Sequence, residues 1–134
     1  MTAAVLYGQE DVRVEQLPVP SVSDGEVLVK IEAALTCGTD VKVYRRGYHA
    51  CMINLPSGFG HEFAGTIVRV GPGTNGLREG LRVVAANSAP CGECFYCRRQ
   101  ELTVCNDLLF LNGSYAEYIK VPPRIVKSNL LPIP

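Results

Sequence analysis

The sequence predicts a mainly β domain, with short strands closing into a small, partly open barrel, a cysteine-bearing loop lobe and a few short helices. Three observations point there. Apolar and polar residues alternate with period two in several short runs bounded by turns. Turn formers are abundant, 13 Gly and 9 Pro in 134 residues, which suits short strands better than long helices. Helical signals are confined to two brief segments.

Taken in order, the N-terminus Met1-Thr2-Ala3-Ala4-Val5-Leu6-Tyr7-Gly8 has neither a basic stretch nor a long apolar run, so it is not read as a signal peptide. Val12–Glu15 alternates as a strand. Val27–Glu32 is a second, with Val27, Val29 and Ile31 on one face and Lys30 and Glu32 on the other. Thr39-Asp40 is expected to cap a short helical turn running through Tyr44 and ending near Gly47. Thr66–Val70 is a third strand, leading into the turn Gly71-Pro72-Gly73-Thr74-Asn75-Gly76, and Arg82–Ala85 is a fourth. Cys97–Leu102 suits another helical turn. Tyr115–Val121, β-branched and aromatic, is a strand that stops at Pro122-Pro123. The tail Asn129–Pro134 reads as a linker without a terminating element, whose Leu130, Leu131 and Ile133 are expected to dock on the barrel or on another copy, giving self-association and a possible homo-oligomer.

Composition narrows the function classes. Hydrophobic residues are 47% of the chain, enough for one packed domain. Lys+Arg and Asp+Glu balance at 13 each, so no long-range field favours nucleic acid or anionic lipid. The pairs Arg45-Arg46 and Arg98-Arg99 are read as solvated charges at helix ends. No apolar run is long enough to span a membrane. A cytoplasmic, reducing location is expected, where clustered cysteines bind metal or do redox chemistry.

Four of the six cysteines, Cys91, Cys94, Cys97 and Cys105, follow a C-x2-C-x2-C-x7-C spacing. C-x2-C lets a tight turn aim two thiolates at one point, and Gly92 permits that turn. A third thiolate at the same interval and a fourth on the return of a short loop complete a tetrahedral shell. Four protein thiolates leave no open position, the mark of a structural zinc. Paired disulfides are disfavoured in a reducing compartment. The bacterial iron–sulfur run closes after three residues with Cys-Pro, which Cys105 does not match. Four unrelated core cysteines at this density are implausible.

A second constellation is weaker on its own. Cys37-Gly38-Thr39-Asp40 follows a predicted strand, and Gly58-Phe59-Gly60-His61-Glu62-Phe63-Ala64-Gly65 lies downstream. A single Cys is ordinarily a small core residue, and a His-Glu pair ordinarily serves hydrogen bonding. A shared site is chemically sensible, with a thiolate from Cys37, an imidazole from His61 and an oxygen from Glu62, in an incomplete shell of the catalytic kind. The residues alone leave the choice open.

Taken together, Cys37-Gly-Thr-Asp40, Gly60-His-Glu-x-x-Gly65, the four-cysteine loop and Gly113-Ser-Tyr-Ala-Glu-Tyr118 occur in an order that resembles the N-terminal, GroES-like catalytic domain of zinc-dependent medium-chain alcohol dehydrogenases. The resemblance covers essentially the whole chain, 1–134, with residues 88–108 as the structural-zinc loop. The cysteine loop also argues against the zinc-free quinone reductases of the same superfamily. The resemblance implies that Cys37 and His61 ligate a catalytic zinc. Glu62 is implied as a third ligand, as in the polyol and threonine dehydrogenase branches, or as a group just outside the ligand set. Thr39 is implied as the hydroxyl that passes the alcohol proton outward, and Asp40 as the carboxylate orienting His61. Two positions depart from the pattern: Lys42 stands where many relatives carry a histidine that continues the proton relay, and Leu81 stands where Gly-Asp-Arg-Val is common. Cys51 fits no motif.

The resemblance further implies an NAD(P)-dependent dehydrogenase acting on a small-molecule alcohol, polyol or amino-alcohol, with zinc acting as a Lewis acid on the substrate oxygen. A nicotinamide site is expected to need a strand–glycine-turn–helix unit. Gly71–Gly76 matches G-x-G-x-x-G in letters, but no helical pattern follows it, so it is read as a turn between strands. The cofactor-binding Rossmann domain is therefore expected outside these residues, in cis or on a second chain, and NAD or NADP is expected to act only with it. The chain alone is expected to be inactive. The alternative is a non-catalytic zinc module serving structure or assembly, which needs only the cysteine loop.

Overall fold

A computed structural model describes residues 1–74 and 76–134. The chain opens with a hairpin, β1 (Thr2–Gly8) and β2 (Asp11–Gln16), paired antiparallel so that Val5 faces Arg13. The short β4 (Ser57–Gly58) adds to the other edge of β1. A five-stranded antiparallel sheet forms the body. It comprises β3 (Val27–Leu35), β5 (Glu62–Val70), β6 (Arg82–Ala85), β9 (Tyr118–Val121) and β10 (Leu130–Pro132), in the order β10-β6-β5-β3-β9. A bridge between Ala3 and Ala116 ties the hairpin to the body. The strands thus wrap as a partly open barrel. Two strands of two residues, β7 (Ser88–Ala89) and β8 (Leu109–Phe110), pair at the base of the cysteine loop between them. Within that loop lie α2 (Phe95–Arg98) and a single 3₁₀ turn, Leu102–Val104.

Sequence alternation becomes burial directly in β5. Phe63, Gly65 and Ile67 point inward while Glu62, Ala64 and Thr66 are less covered, as period-two geometry requires. Phe63 and Ile67 join Val27 and Val29 of β3, Val83 of β6 and Val121 of β9 in the main core. A second core of Leu6, Val43, Met52, Ile53 and Phe59 fastens α1 (Gly38–Arg46) beneath the hairpin. Both arginine pairs close helices in solvent, Arg45 and Arg46 at the end of α1, Arg98 at the end of α2 with Arg99 as its cap.

Several expectations need correction. The N-cap of α1 is Cys37, not Thr39 or Asp40, and Asp40 occupies the third helical position as the acidic half of a capping box. Tyr115–Ala116–Glu117 lies outside β9, which starts at Tyr118. The tail is not a linker. Pro122-Pro123 starts α3 (Pro123–Asn129), where proline at the first helical turn costs no hydrogen bond. The chain then continues as β10 on β6, with Leu130 buried and Leu131 57% exposed. Strand β1 carries no alternation signal: its run Ala3-Ala4-Val5-Leu6 is nearly uniform, and Ala3, Val5 and Leu6 are all buried. The stretch 71–76 includes Asn75, which lies outside the described residues. Among the described residues no helix separates β5 from β6. Among the described residues, no helix is long and apolar enough to cross a membrane.

Gly65 pairs with Ile31 across β3–β5, and a Cβ there would collide with the Lys30 carbonyl oxygen and crowd the Val29 side chain. Overpacking of this kind costs roughly 1–3 kcal/mol. Gly65→Ala is accordingly expected to lower unfolding free energy in urea by about that amount. Stability equal to that of the parent protein would contradict the close approach of β3 and β5.

Candidate functional site

The site is built where β3 ends, α1 begins and β5 starts. Cys37 follows the last turn out of β3 and caps α1, its Sγ accepting the Thr39 N–H at 3.2 Å. A helix N-terminus presents free N–H groups, which suits an anionic sulfur. His61 is the residue before β5, and Glu62 is its first residue. His61 Nε2 lies 3.2 Å from Cys37 Sγ and 3.8 Å from Glu62 Oε1. One ligand atom from each of the three residues falls within a 4.8 Å cluster. The structure therefore brings Cys37, His61 and Glu62 together although 24 residues separate the first two.

Behind the imidazole sits Asp40, 2% exposed. Its Oδ2 accepts the Cys37 backbone N–H at 2.9 Å and lies 3.1 Å from the Tyr115 hydroxyl. Its Oδ1 faces His61 Nδ1 at 3.1 Å. That pair is close but not aligned as a hydrogen bond, so both buried atoms lack a directed partner. Buried groups left unpaired cost about 1–3 kcal/mol each, and such exceptions concentrate where the far side of a group has a further task. An imidazole backed by a carboxylate on Nδ1 and offering Nε2 to a thiolate and a second carboxylate suits a metal ligand set.

The three residues line a cleft of about 620 Å³. Thr39 shares its wall, with Ala33, Leu35, Met52 and Phe63 supplying apolar surface and Asn87 a polar edge. Neither Met52 nor Asn87 carried a sequence signal. Met52 enters by folding of the 48–56 loop, held by Asn112 donating to its carbonyl at 2.6 Å. Tyr115 had a signal, its place in Gly113–Tyr118, but the strand pattern there disguised its hydroxyl. Lys42 lies exposed on α1, and Cys51 is exposed outside both clusters.

The four loop cysteines also converge. Their sulfurs lie within 4.8 Å of one another, with Cys91–Cys97 and Cys94–Cys105 at 3.9 Å and Cys91–Cys105 at 3.5 Å. A tetrahedral thiolate shell with bonds of about 2.3 Å has edges of roughly 3.8 Å, so the donor set fits zinc and contains no disulfide. Backbone N–H groups of Asn106 and Cys97 bring the Cys94 thiol down to about 6. A donor from Cys91 lowers Cys105 likewise. Burial pushes Cys97 up to about 12. The lobe is clasped to the body by Arg124 of α3, which donates to the Asp107 carbonyl and carboxylate, both at 2.8 Å.

A family profile described as "Alcohol dehydrogenase GroES-like domain" matches residues 23–134. The chain belongs to this family. Among curated relatives, a sorbitol dehydrogenase of Bombyx mori is 46% identical over 104 residues, 77% of this chain and 30% of that protein. An L-threonine 3-dehydrogenase of Pyrococcus abyssi is 41% identical over 133 residues, 96% of this chain and 37% of that protein. Among solved structures, the alcohol dehydrogenase TADH from Thermus sp. ATN1 superposes with a TM-score of 0.82 at 31% identity, covering 100% of this chain and 40% of that one. This GroES-like domain thus spans about a third of the length of the curated relatives it matches.

With metal stripped, the loop thiols of this GroES-like domain are expected to differ in reactivity. Alkylation follows the thiolate, so Cys94 should label readily at pH 7.5 and slow as pH falls through about 6, while Cys97 stays unlabelled until the loop opens. Peptide mapping by mass spectrometry after iodoacetamide reads both. Equal labelling of Cys94 and Cys97 at neutral pH would refute this order.

Proposed function

We propose that the chain is the zinc-bearing catalytic domain of an NAD(P)-dependent dehydrogenase acting on a small alcohol, polyol or amino-alcohol. The observation that carries this is the convergence of Cys37, His61 and Glu62 on the wall of a cleft, an incomplete ligand set open to a small molecule. The sorbitol and L-threonine dehydrogenases among the relatives support the substrate class.

In this reading Cys91, Cys94, Cys97 and Cys105 hold a structural zinc, and Cys37, His61 and Glu62 hold the catalytic one. Zinc at the second site would supply Lewis-acid polarisation of an alcohol oxygen. The chain's own residues do the rest. Asp40 fixes the ring plane of His61 and keeps Nε2 turned to the cleft. The Thr39 hydroxyl, on the same wall, takes the alcohol proton and passes it outward. Ala33, Leu35, Met52 and Phe63 thin the water around the reacting carbon, where a lower dielectric strengthens each polar contact. Glu62, 43% exposed at its side chain, is free to approach or leave the ligand set. Hydride acceptance belongs to a nicotinamide held by a separate Rossmann unit, in cis or on a second chain.

Metal analysis tests the assignment. The cysteine loop should retain about one zinc per chain through gel filtration, since structural zinc contributes on the order of 10 kcal/mol or more, and Cys105→Ser should release it. Cobalt titration should reveal a second, weaker thiolate-bearing site that disappears in Cys37→Ala. If that variant gives the parent spectrum, the catalytic-site reading is wrong and a purely structural zinc module remains.

A calorimetric test addresses the cofactor. These 134 residues alone are expected to show no saturable NAD or NADP binding and no turnover. Adding a Rossmann unit should give both, and His61→Ala should then abolish turnover. Saturable NAD binding by this chain alone would overturn the assignment of hydride chemistry to a separate unit.

A further inference from the structure

We infer that Tyr115 is a positioning residue: its hydroxyl fixes the Asp40 carboxylate behind His61 and so governs how firmly Cys37 and His61 hold a metal. The inference rests on the ligand assignment proposed above.

Three separate constraints place the ring. The Tyr115 N–H donates to the Phe59 carbonyl at 2.9 Å, and its own carbonyl accepts the Ala4 N–H at 2.8 Å. The ring meets Phe59 edge-on, centroids 5.5 Å apart at 85°, a favoured aromatic geometry. On its other side is Gly60, the residue before His61. A Cβ there would sit 2.7 Å from Cγ and Cδ1 of the tyrosine ring and 2.5 Å from the buried Ser114 Oγ, and the Gly60 φ is +81°. Glycine is therefore required beside His61 both by its backbone and by the ring packed against it.

The hydroxyl is equally constrained. It lies 2.9 Å from Thr36 Oγ1, 3.1 Å from the Leu35 carbonyl and 3.1 Å from Asp40 Oδ2. With Thr36 donating to the phenol oxygen, the one phenol proton has two acceptors at 3.1 Å, the Leu35 carbonyl and Asp40 Oδ2, and the charged carboxylate is the stronger of them. Burial, assisted by the Asp40 charge, raises the phenol above its usual range, so it remains a donor at physiological pH.

This matters because the terminal torsion of an aspartate is soft. With only the Cys37 N–H on Oδ2, the carboxylate could swing and take Oδ1 off the imidazole. A second donor on the same oxygen, from a segment remote in sequence, pins the plane and leaves Oδ1 facing Nδ1. Asp40 and Tyr115 both line an apolar groove of about 370 Å³, with Val12, Val41, Tyr44 and Phe59 supplying its apolar wall, so few other polar groups are at hand to hold the carboxylate there.

Tyr115→Phe keeps the ring and deletes only the hydroxyl. Cobalt titrations of the parent chain, Tyr115→Phe, Asp40→Asn and the double variant test the inference. Groups that directly support metal-bound histidines typically matter about 10–100-fold in affinity. One step further out, Tyr115→Phe should weaken the Cys37/His61 site about three- to tenfold and alter its thiolate–cobalt band. The four-cysteine site should keep its spectrum, and a far-UV circular dichroism spectrum and urea midpoint matching the parent's should show that the rest of the fold is intact. On the Asp40→Asn background the same change should add nothing, because effects acting through one group are not additive. An affinity within about twofold of the parent, or an equal loss on both backgrounds, would overturn the inference. A second cobalt band that survives Cys37→Ala would instead overturn the ligand assignment, and this inference with it.

Discussion

The Asp40 carboxylate is the constraint on which the open site depends. One oxygen takes the Cys37 N–H and the Tyr115 hydroxyl, and the other faces the His61 ring. The same group completes the capping box of α1, so the helix start and the imidazole orientation are one arrangement. Helix α1 is held in turn by Val43 in the second core, and its C-terminus closes at Gly47, in the left-handed conformation that suits glycine there. A change in how α1 packs would therefore be felt at His61 before it was felt in the five-stranded sheet.

The two cysteine-bearing clusters follow opposite designs, and the difference lies in chain topology. Cys91, Cys94, Cys97 and Cys105 fall within one short excursion between β7 and β8, so loop closure brings the donors together at little entropic cost. Cys37, His61 and Glu62 come from two ends of the paired strands β3 and β5, where Leu35 sits opposite Glu62. Register in that pair delivers Glu62 to the end of the sheet, with His61 one residue earlier and Cys37 two residues beyond Leu35. A one-residue slip would turn Phe63 outward and separate the cluster. The buried side chains of β3 and β5 thus fix the geometry of the open site, while the lobe relies on its own donor set.

Legibility in the sequence followed the same division. The lobe was readable because its information is local, in the spacing of cysteines. Strands β2, β3, β5 and β6 were readable from alternation in sequence, which reflects one covered face in β5, whereas Val14 of β2 is 75% exposed and Val27, Leu28 and Val29 of β3 are all buried. Strand β1 was not, since Ala3, Val5 and Leu6 are buried from more than one side and the run loses its alternation. The tail Asn129–Pro134 misled because it is apolar with no terminating element, whereas Leu130–Pro132 forms β10 at the edge of the sheet, where the missing N–H of Pro132 is tolerated. For the open site, the identities of Cys37, His61 and Glu62 came from family resemblance, and only long-range pairing brings them together.

Tyr115 shows why the remainder was hidden. Its neighbours in sequence advertise a strand, yet it sits before β9, where its ring packs against Gly60 and its hydroxyl lies beside Asp40. Pattern reading assigns such a residue by its neighbours' period and cannot register a hydroxyl that serves a partner 75 residues away. The backbone bond from Tyr115 to Phe59 and the bridge from Ala116 to Ala3 mark the seam where hairpin and sheet meet. The group that steadies the open site is thus supplied from the joint between the two sheets rather than from inside either. Closure of the barrel and order at His61 are accordingly one event: a chain that failed to close this seam would keep its four-cysteine lobe and lose the alignment of Asp40.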